Sequence, residues 1–177
     1  GGLCYYDYAD DAFHQIAFDA SREKIDQYRV HAVCISNDHS IWFARRSMLH
    51  HLTNVNAINT YPLPGPETLL IKYILADSHG RISIGYNEGI AIFDERTKNF
   101  ITGSIQSPFS LANNLGITVH PIVHFQNDTM LIGSWYAGLQ KVFINGDTIS
   151  TILFPDENET NPRRHIVSGI SRGTGSE

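Results

Sequence analysis

Apolar residues fall in short runs separated by polar turns, and the runs recur in register along the chain. Ile41-Trp42-Phe43-Ala44 reappears as Ile82-Ser83-Ile84-Gly85 and again as Met130-Leu131-Ile132-Gly133, each an apolar strand that ends on a small residue. The second positions of these runs, 42, 83 and 131, lie 41 and 48 apart. A period in that range marks a repeat architecture and outranks any single motif. A second landmark follows in two copies, Gly89-Ile90-Ala91-Ile92-Phe93 and Gly138-Leu139-Gln140-Lys141-Val142, each a glycine opening a strand; in the Trp42 copy Met48 takes the glycine position.

Ahead of each small-residue strand lies another apolar run, at 30–35, 71–76 and 119–125. Each leads into a polar turn: Ser36-Asn37-Asp38-His39-Ser40, Asp77-Ser78-His79-Gly80-Arg81 or Gln126-Asn127-Asp128-Thr129. Such turns between apolar runs predict hairpins, and Asn145-Gly146 is the strongest hairpin signal in the chain. Near the start, Gly2-Leu3-Cys4-Tyr5-Tyr6-Asp7 fits the glycine-strand slot, and Tyr6-Asp7 to Phe13 matches Phe93-Asp94 to Phe100 in spacing. Four short strands per period predict an all-β fold of β-propeller blades, each a four-stranded antiparallel sheet packed between its neighbours. The pattern gives one segment over 1–177: a partial blade at 1–18, full blades at about 29–66, 67–112 and 115–155, and a partial strand at 163–172. The stretch 19–28 is the single helical candidate, but it lacks a sustained apolar face and reads as a linker, while Pro62-Leu63-Pro64-Gly65-Pro66 and Ser107-Pro108-Phe109-Ser110 fall between blades.

Composition narrows the partners. With 42% hydrophobic and 18% charged residues, the 177-residue chain buries a core. Its net charge of -5, without a basic run, lacks the footprint that a phosphate backbone requires, so nucleic acid is not expected as a partner. No apolar stretch approaches the ~18 residues needed to cross a bilayer as a helix. Cys4 and Cys34 sit in strand-like contexts and are expected as buried free thiols.

The repeats resemble the two-component regulator propeller family, whose blades read as a strand, an Asp-x-x-Gly turn, an apolar-Trp-apolar-Gly strand, then Gly-Leu and an aromatic-Asp pair. The matching residues are Asp77 to Gly85 with Gly89-Ile90, Ile41-Trp42-Phe43, and Leu131-Ile132-Gly133 with Gly138-Leu139; Ser107 to Asn114 is similar to the family's inter-blade segment. Only one copy keeps the tryptophan, and that copy lacks both glycines. The resemblance implies the periplasmic sensor region of a hybrid two-component histidine kinase, which senses oligosaccharides and signals through rearrangement of paired sensor regions.

Metal and catalytic chemistry find little support in the spacing. His50 and His51 are adjacent on a strand and point to opposite faces. His120 and His124 stand roughly 13 Å apart on an extended strand, too far for one ion. No Gly-x-Ser-x-Gly elbow, phosphate loop or His-Glu-x-x-His is present, so the segment is read as a non-enzyme without cofactor or metal. The alternatives are a propeller-type polysaccharide lyase or hydrolase, for which Arg45, Arg46 and His50 form the natural set, and a protein-interaction scaffold. For ligand binding, the loop before each glycine strand supplies the donors and aromatic platforms that sugars favour: Arg45 and Arg46, then Tyr86 and Asn87 with Glu88, then Trp135 and Tyr136 with Ser134. Trp42, in mid-strand, is assigned to the core. The expected partners are an oligosaccharide or other small ligand, and a second copy of the chain or adjacent blades at the open sheet edges.

Overall fold

Each predicted hairpin forms where a turn residue frees the chain to reverse and apolar alternation gives the flanking strands a face to bury. A computed structural model describes residues 2–16, 29–54, 57–105, 118–126, 128–154 and 167–170. The helical candidate at 19–28 lies outside them. The described residues form fourteen strands and no helix. β1 (Cys4–Asp7) pairs with β2 (Ala12–Gln15) as sheet 1. β3 (Ala32–Ile35), β4 (Ile41–Arg45), β5 (Met48–Asn54) and β6 (Ala57–Pro62) follow as sheet 2. Sheet 3 comprises β7 (Ile71–Ala76), β8 (Arg81–Tyr86), β9 (Gly89–Asp94) and β10 (Asn99–Ser104). Sheet 4 comprises β11 (Thr118–Gln126), β12 (Thr129–Trp135), β13 (Gly138–Asn145) and β14 (Thr148–Leu153). Every pairing is antiparallel and joins consecutive strands.

The sheets stack face to face. First strands meet first strands, β3 against β7 and β7 against β11, while the fourth strands β10 and β14 meet at the opposite edge. One apolar core fills each gap. Ile16, Phe43 and Leu52 close sheet 1 on sheet 2; Trp42, Ala44 and Leu49 meet Ile82, Ile84 and Phe93 between sheets 2 and 3; Ile90 and Ile92 meet Val119, Met130 and Ile132 between sheets 3 and 4. The alternation is visible within β8, where Ile82, Ile84 and Tyr86 face sheet 2 while Ser83 and Gly85 face sheet 4. The small residue ending this strand has a steric reason. A Cβ on Gly85 would stand 2.5 Å from the Val119 carbonyl oxygen, so only glycine lets sheet 4 approach this closely. Gly133 repeats the arrangement, with the Val167 side chain 2.7 Å from the place of a Cβ. Residues 167–170, the described part of the tail, form no regular strand, yet Val167 N–H donates to the Ser134 carbonyl at 3.1 Å.

Turn chemistry explains the hairpins one by one. In sheet 3 Asp77 Oδ1 accepts from the His79 and Arg81 amides at 2.7 and 2.9 Å, and Gly80 takes φ +74°. In sheet 2 Ser36 replaces that aspartate. Asp38 accepts from the Ser40 amide at 2.9 Å instead, and His39 adopts the left-handed φ of +65°. The matched spacing near the start is also real structure: Tyr6 pairs with Phe13 as Phe93 pairs with Phe100, and Asp11 and Lys98 occupy the same left-handed turn position at φ +56° and +59°. β1 and β2 therefore correspond to the third and fourth strands of the later sheets.

Trp42 is fully buried, as its mid-strand position predicts. The cysteines depart from expectation in part. Both are free thiols, but Cys4 is exposed on β1, which presents its outer face to solvent, and only Cys34 is partly buried. Burial pushes the Cys34 thiol up to about 12, so it is protonated and unreactive at neutral pH.

Candidate ligand-binding face

Backbone hydrogen bonds between sheets bring three hairpins to one end of the stack. Ile71 N–H, opening β7, donates to the Arg46 carbonyl in the β4–β5 turn at 2.8 Å. Asn87 N–H, in the β8–β9 turn, donates to Leu70 O beside that same strand start at 3.2 Å. Val119 on β11 lies against Gly85 and pairs with Ser134 just before the β12–β13 turn. The loops singled out in the sequence thus share one end of the molecule.

Within that end the candidate side chains divide into two groups. Tyr86 is 8% exposed and belongs to the core between sheets 2 and 3, where burial, followed by the nearby Glu88 carboxylate, raises its phenol above the ordinary value. Asn87 is spent on architecture, since its Oδ1 accepts from Leu70 N–H at 2.8 Å. These two residues hold the linker before β7 in place. Trp135, by contrast, is 43% exposed, and Tyr136 beside it is half-buried with φ +67°. Buried Gln140 supports their loop from beneath by donating to the Ala137 carbonyl at 3.3 Å.

Arg45 and Arg46 line a cleft of about 280 Å³ together with Ser47, Met48, His50 and Glu67. Arg46 has φ +49°, and the turn is clamped by the Ile71 amide on Arg46 O and the Leu63 amide on Ser47 O, both at 2.8 Å. His50 stacks on Phe43 at 4.7 Å, and its Nδ1 lies 2.9 Å from Thr60 Oγ1. Burial, aided by the Arg45 charge, lowers its pKa to about 4, which keeps the ring neutral at pH 7. His51 lies on the other face, stacked on Trp42 at 4.1 Å, so the adjacent histidines are separated as strand geometry requires. His124 approaches Ser83 Oγ at 3.4 Å between sheets 3 and 4; the His120 side chain lies outside the described residues.

Two features lay beyond the sequence reading. Asp7, Asp10 and His14 bring ligand-type atoms within 4.8 Å of one another at the exposed β1–β2 hairpin. The 2.7 Å contact between His14 and Asp10 accounts for that grouping as an exposed polar pair. A second cleft, of about 450 Å³, lies among Arg81, Arg96, Phe100 and Asp147 near the β9–β10 and β13–β14 turns, which are far apart in sequence.

Solved structures share this arrangement of stacked meander sheets. A protein described as the extracellular domain of the hybrid two component system BT4673 from B. thetaiotaomicron is 18% identical, with a TM-score of 0.68 over 94% of this chain. The corresponding domain of BT3049 from the same organism is 17% identical over 75% of the chain, with a TM-score of 0.52. Virginiamycin B lyase from Staphylococcus aureus is 14% identical over 88% of the chain, with a TM-score of 0.60. The fold is a β-propeller segment. The propeller blades are sheets 2 to 4, with sheet 1 the outer half of another. The chain spans 22% of the BT4673 domain and 49% of the lyase. No family model and no curated relative matches it. No helix among the described residues is long and apolar enough to cross a membrane.

Proposed function

We propose that this chain is part of an extracytoplasmic, periplasmic sensor propeller of a hybrid two-component system, and that its loop face recognises an oligosaccharide. The likeness to extracellular domains of such systems supports the setting. The observation that carries ligand recognition is the exposed indole of Trp135 on the same end as the Arg46 turn. An indole left 43% exposed in a hairpin stiffened by a buried glutamine offers a flat apolar platform for a sugar ring. Arginine side chains supply fixed donors for hydroxyl and carboxyl groups. Arg45, Arg46, Trp135 and Tyr136 form the contact set, with Tyr86 and Asn87 beneath it as support. In this reading binding biases the arrangement of two paired copies and so carries the signal.

The test is saturable binding of the full chain to an immobilised glycan library, repeated with Trp135→Ala. Specific retention that Trp135→Ala reduces is expected; retention indifferent to the substitution would move the site elsewhere, and no retention of any glycan would defeat the reading. A second reading, a polysaccharide lyase, is favoured by the fold likeness to a lyase and by the Arg45, Arg46 and His50 grouping. It predicts unsaturated product ends, which absorb in the ultraviolet, where a sensor yields bound but intact saccharide.

A further inference from the structure

Strand register builds the cleft of sheet 2 from one face. β4 and β5 pair Arg45 with Met48 and Phe43 with His50, and β6 brings Thr60 opposite His50. Cross-strand partners share a face, so these five residues stand on the side of sheet 2 where Phe43 and Leu52 meet Ile16. The cleft of about 280 Å³ is lined from this side, and Glu67 joins it from the linker before β7. That volume sits at the small end of ligand pockets and suits one sugar ring rather than a long chain.

His50, 7% exposed, is held from two directions. Its ring stacks on Phe43 at 4.7 Å, and Nδ1 lies 2.9 Å from Thr60 Oγ1. Nε2, on the ring edge away from the backbone, is buried and has no hydrogen-bond partner among the described residues. A buried polar atom in that state costs stability until something pairs with it. The ring is neutral at pH 7, so Nε2 donates if Nδ1 accepts from the Thr60 hydroxyl, and accepts if Nδ1 donates to it. A ligand hydroxyl both donates and accepts, and so suits either form.

The surrounding groups favour a neutral ligand. An anion meets the Glu67 carboxylate and a cation meets the Arg46 guanidinium, whereas a polyol finds an acceptor in one and donors in the other. The rim is also set in advance, because the φ of +49° at Arg46 is enforced by the Leu63 and Ile71 amides on the turn carbonyls, which lowers the entropy lost on binding.

From the unpaired Nε2, the ring clamped by Phe43 and Thr60, and the mixed charges of the lining, we infer that this cleft seats one neutral sugar ring and that His50 determines its specificity by pairing Nε2 with a ring hydroxyl. This rests on the oligosaccharide reading above and adds to its contact set a residue on the cleft floor. Arg45 and Met48, the next pair along the face, are long and unbranched, so the sugar reaches the ring by side-chain rotation with the sheet unmoved.

The test is nuclear magnetic resonance titration of the full chain, labelled with 15N, with maltotriose, galactotriose and mannotriose. At least one trisaccharide is expected to shift the His50 Nε2 resonance saturably, together with the Trp135 indole. His50→Phe keeps a ring on Phe43 and removes Nε2; it assigns the resonance and is expected to weaken binding of that trisaccharide about tenfold, the loss of one buried hydrogen bond. The shift is read on the unaltered chain, so it decides the matter even where the variant fails to fold. A trisaccharide that moves the Trp135 indole and leaves His50 still, or one that binds His50→Phe with unchanged affinity, overturns the subsite and leaves oligosaccharide recognition standing. Absence of a saturable change at either residue with all three removes both.

Discussion

Gly80 and Gly85 stand five residues apart in one repeat and are glycine for different reasons. At Gly80 an added Cβ meets nothing within 4 Å, and the requirement is the left-handed φ of +74°. At Gly85 the constraint is the Val119 carbonyl 2.5 Å from any Cβ. Gly80→Ala is therefore expected to cost about 1 kcal/mol, the intrinsic penalty of that conformation. Gly85→Ala forces two sheets apart and is expected to cost about 2 kcal/mol or more. His39→Gly, at the position equivalent to Gly80, is expected to leave stability unchanged or raise it. Urea unfolding midpoints of the three variants check the order. His50 sets a pH dependence at the same scale. Its folded pKa of about 4 lies below the ordinary 6.5, so as pH falls the unfolded chain takes up the proton first. The stability contribution is complete above pH 6.5 and is lost between pH 6.5 and 4. Allowing for partial exposure, it amounts to about 2 kcal/mol. His31, His51 and His124 are lowered mainly by burial and act in the same direction. Unfolding at pH 7 and pH 4.5 measures the slope, and His50→Gln is expected to flatten it; an unchanged slope would mean that His50 titrates normally.

Hairpins are the elements on which the fold is assembled, and their two ends differ. The β7–β8 turn depends on Asp77, 5% exposed, which accepts two backbone amides and pairs with Arg81 at 2.6 Å. Arg81 also reaches across to Asp128 in sheet 4 at 2.7 Å, but that carboxylate is 60% exposed. Asp77→Ala removes a buried carboxylate that serves two turn amides and Arg81 and is expected to cost about 2 kcal/mol, whereas Asp128→Ala removes an exposed pair worth less than about 1 kcal/mol. Thermal unfolding distinguishes the two. These turns were legible in the sequence because aspartate, glycine and alternation recur at fixed offsets, and the Tyr6 and Phe93 hairpins match for the same reason. Side-chain roles at the loop end were legible only in part. Arg45, Tyr86 and Ser134 occupy equivalent positions before the glycine strand, yet Tyr86 is core while Arg45 lines a cleft. The parity of Ile82, Ile84 and Tyr86 carries the signal for burial of Tyr86. Nothing local marks Asn87 as the partner of Leu70, because that bond depends on how the preceding linker folds back. His50 was grouped with Arg45 and Arg46 from the sequence, but that they line one cleft with Glu67 was hidden, since strand parity assigns a face without revealing which faces enclose space.

Stacked sheets bury both faces only where a neighbour exists on each side, and this governs the molecule as a whole. Sheet 3 is enclosed, and β9 is accordingly apolar on both faces. The outward face of sheet 4 is covered near Gly133 by Val167, while Ile152 is 56% exposed, and Phe125 and Phe154 are 48% and 47% exposed. Lys141 lies over the Phe125 and Phe143 rings at 5.8 and 5.0 Å, its alkyl stem shielding part of this surface. At the other end, the outer face of sheet 1 exposes the paired Tyr6 and Phe13 at 36% and 77%. Apolar patches of this kind favour association, and two different open faces favour a head-to-tail contact that repeats beyond two copies. Light scattering of the full chain across a concentration series is therefore expected to show mass rising with concentration, and Ile152→Lys to shift it toward monomer by placing a charge on the contact. A plateau at the dimer would mean that one face meets its own copy, which suits signalling through a pair. A monomer at every concentration would mean that the exposed rows are tolerated in water, and would rule out a second copy as the partner of these faces.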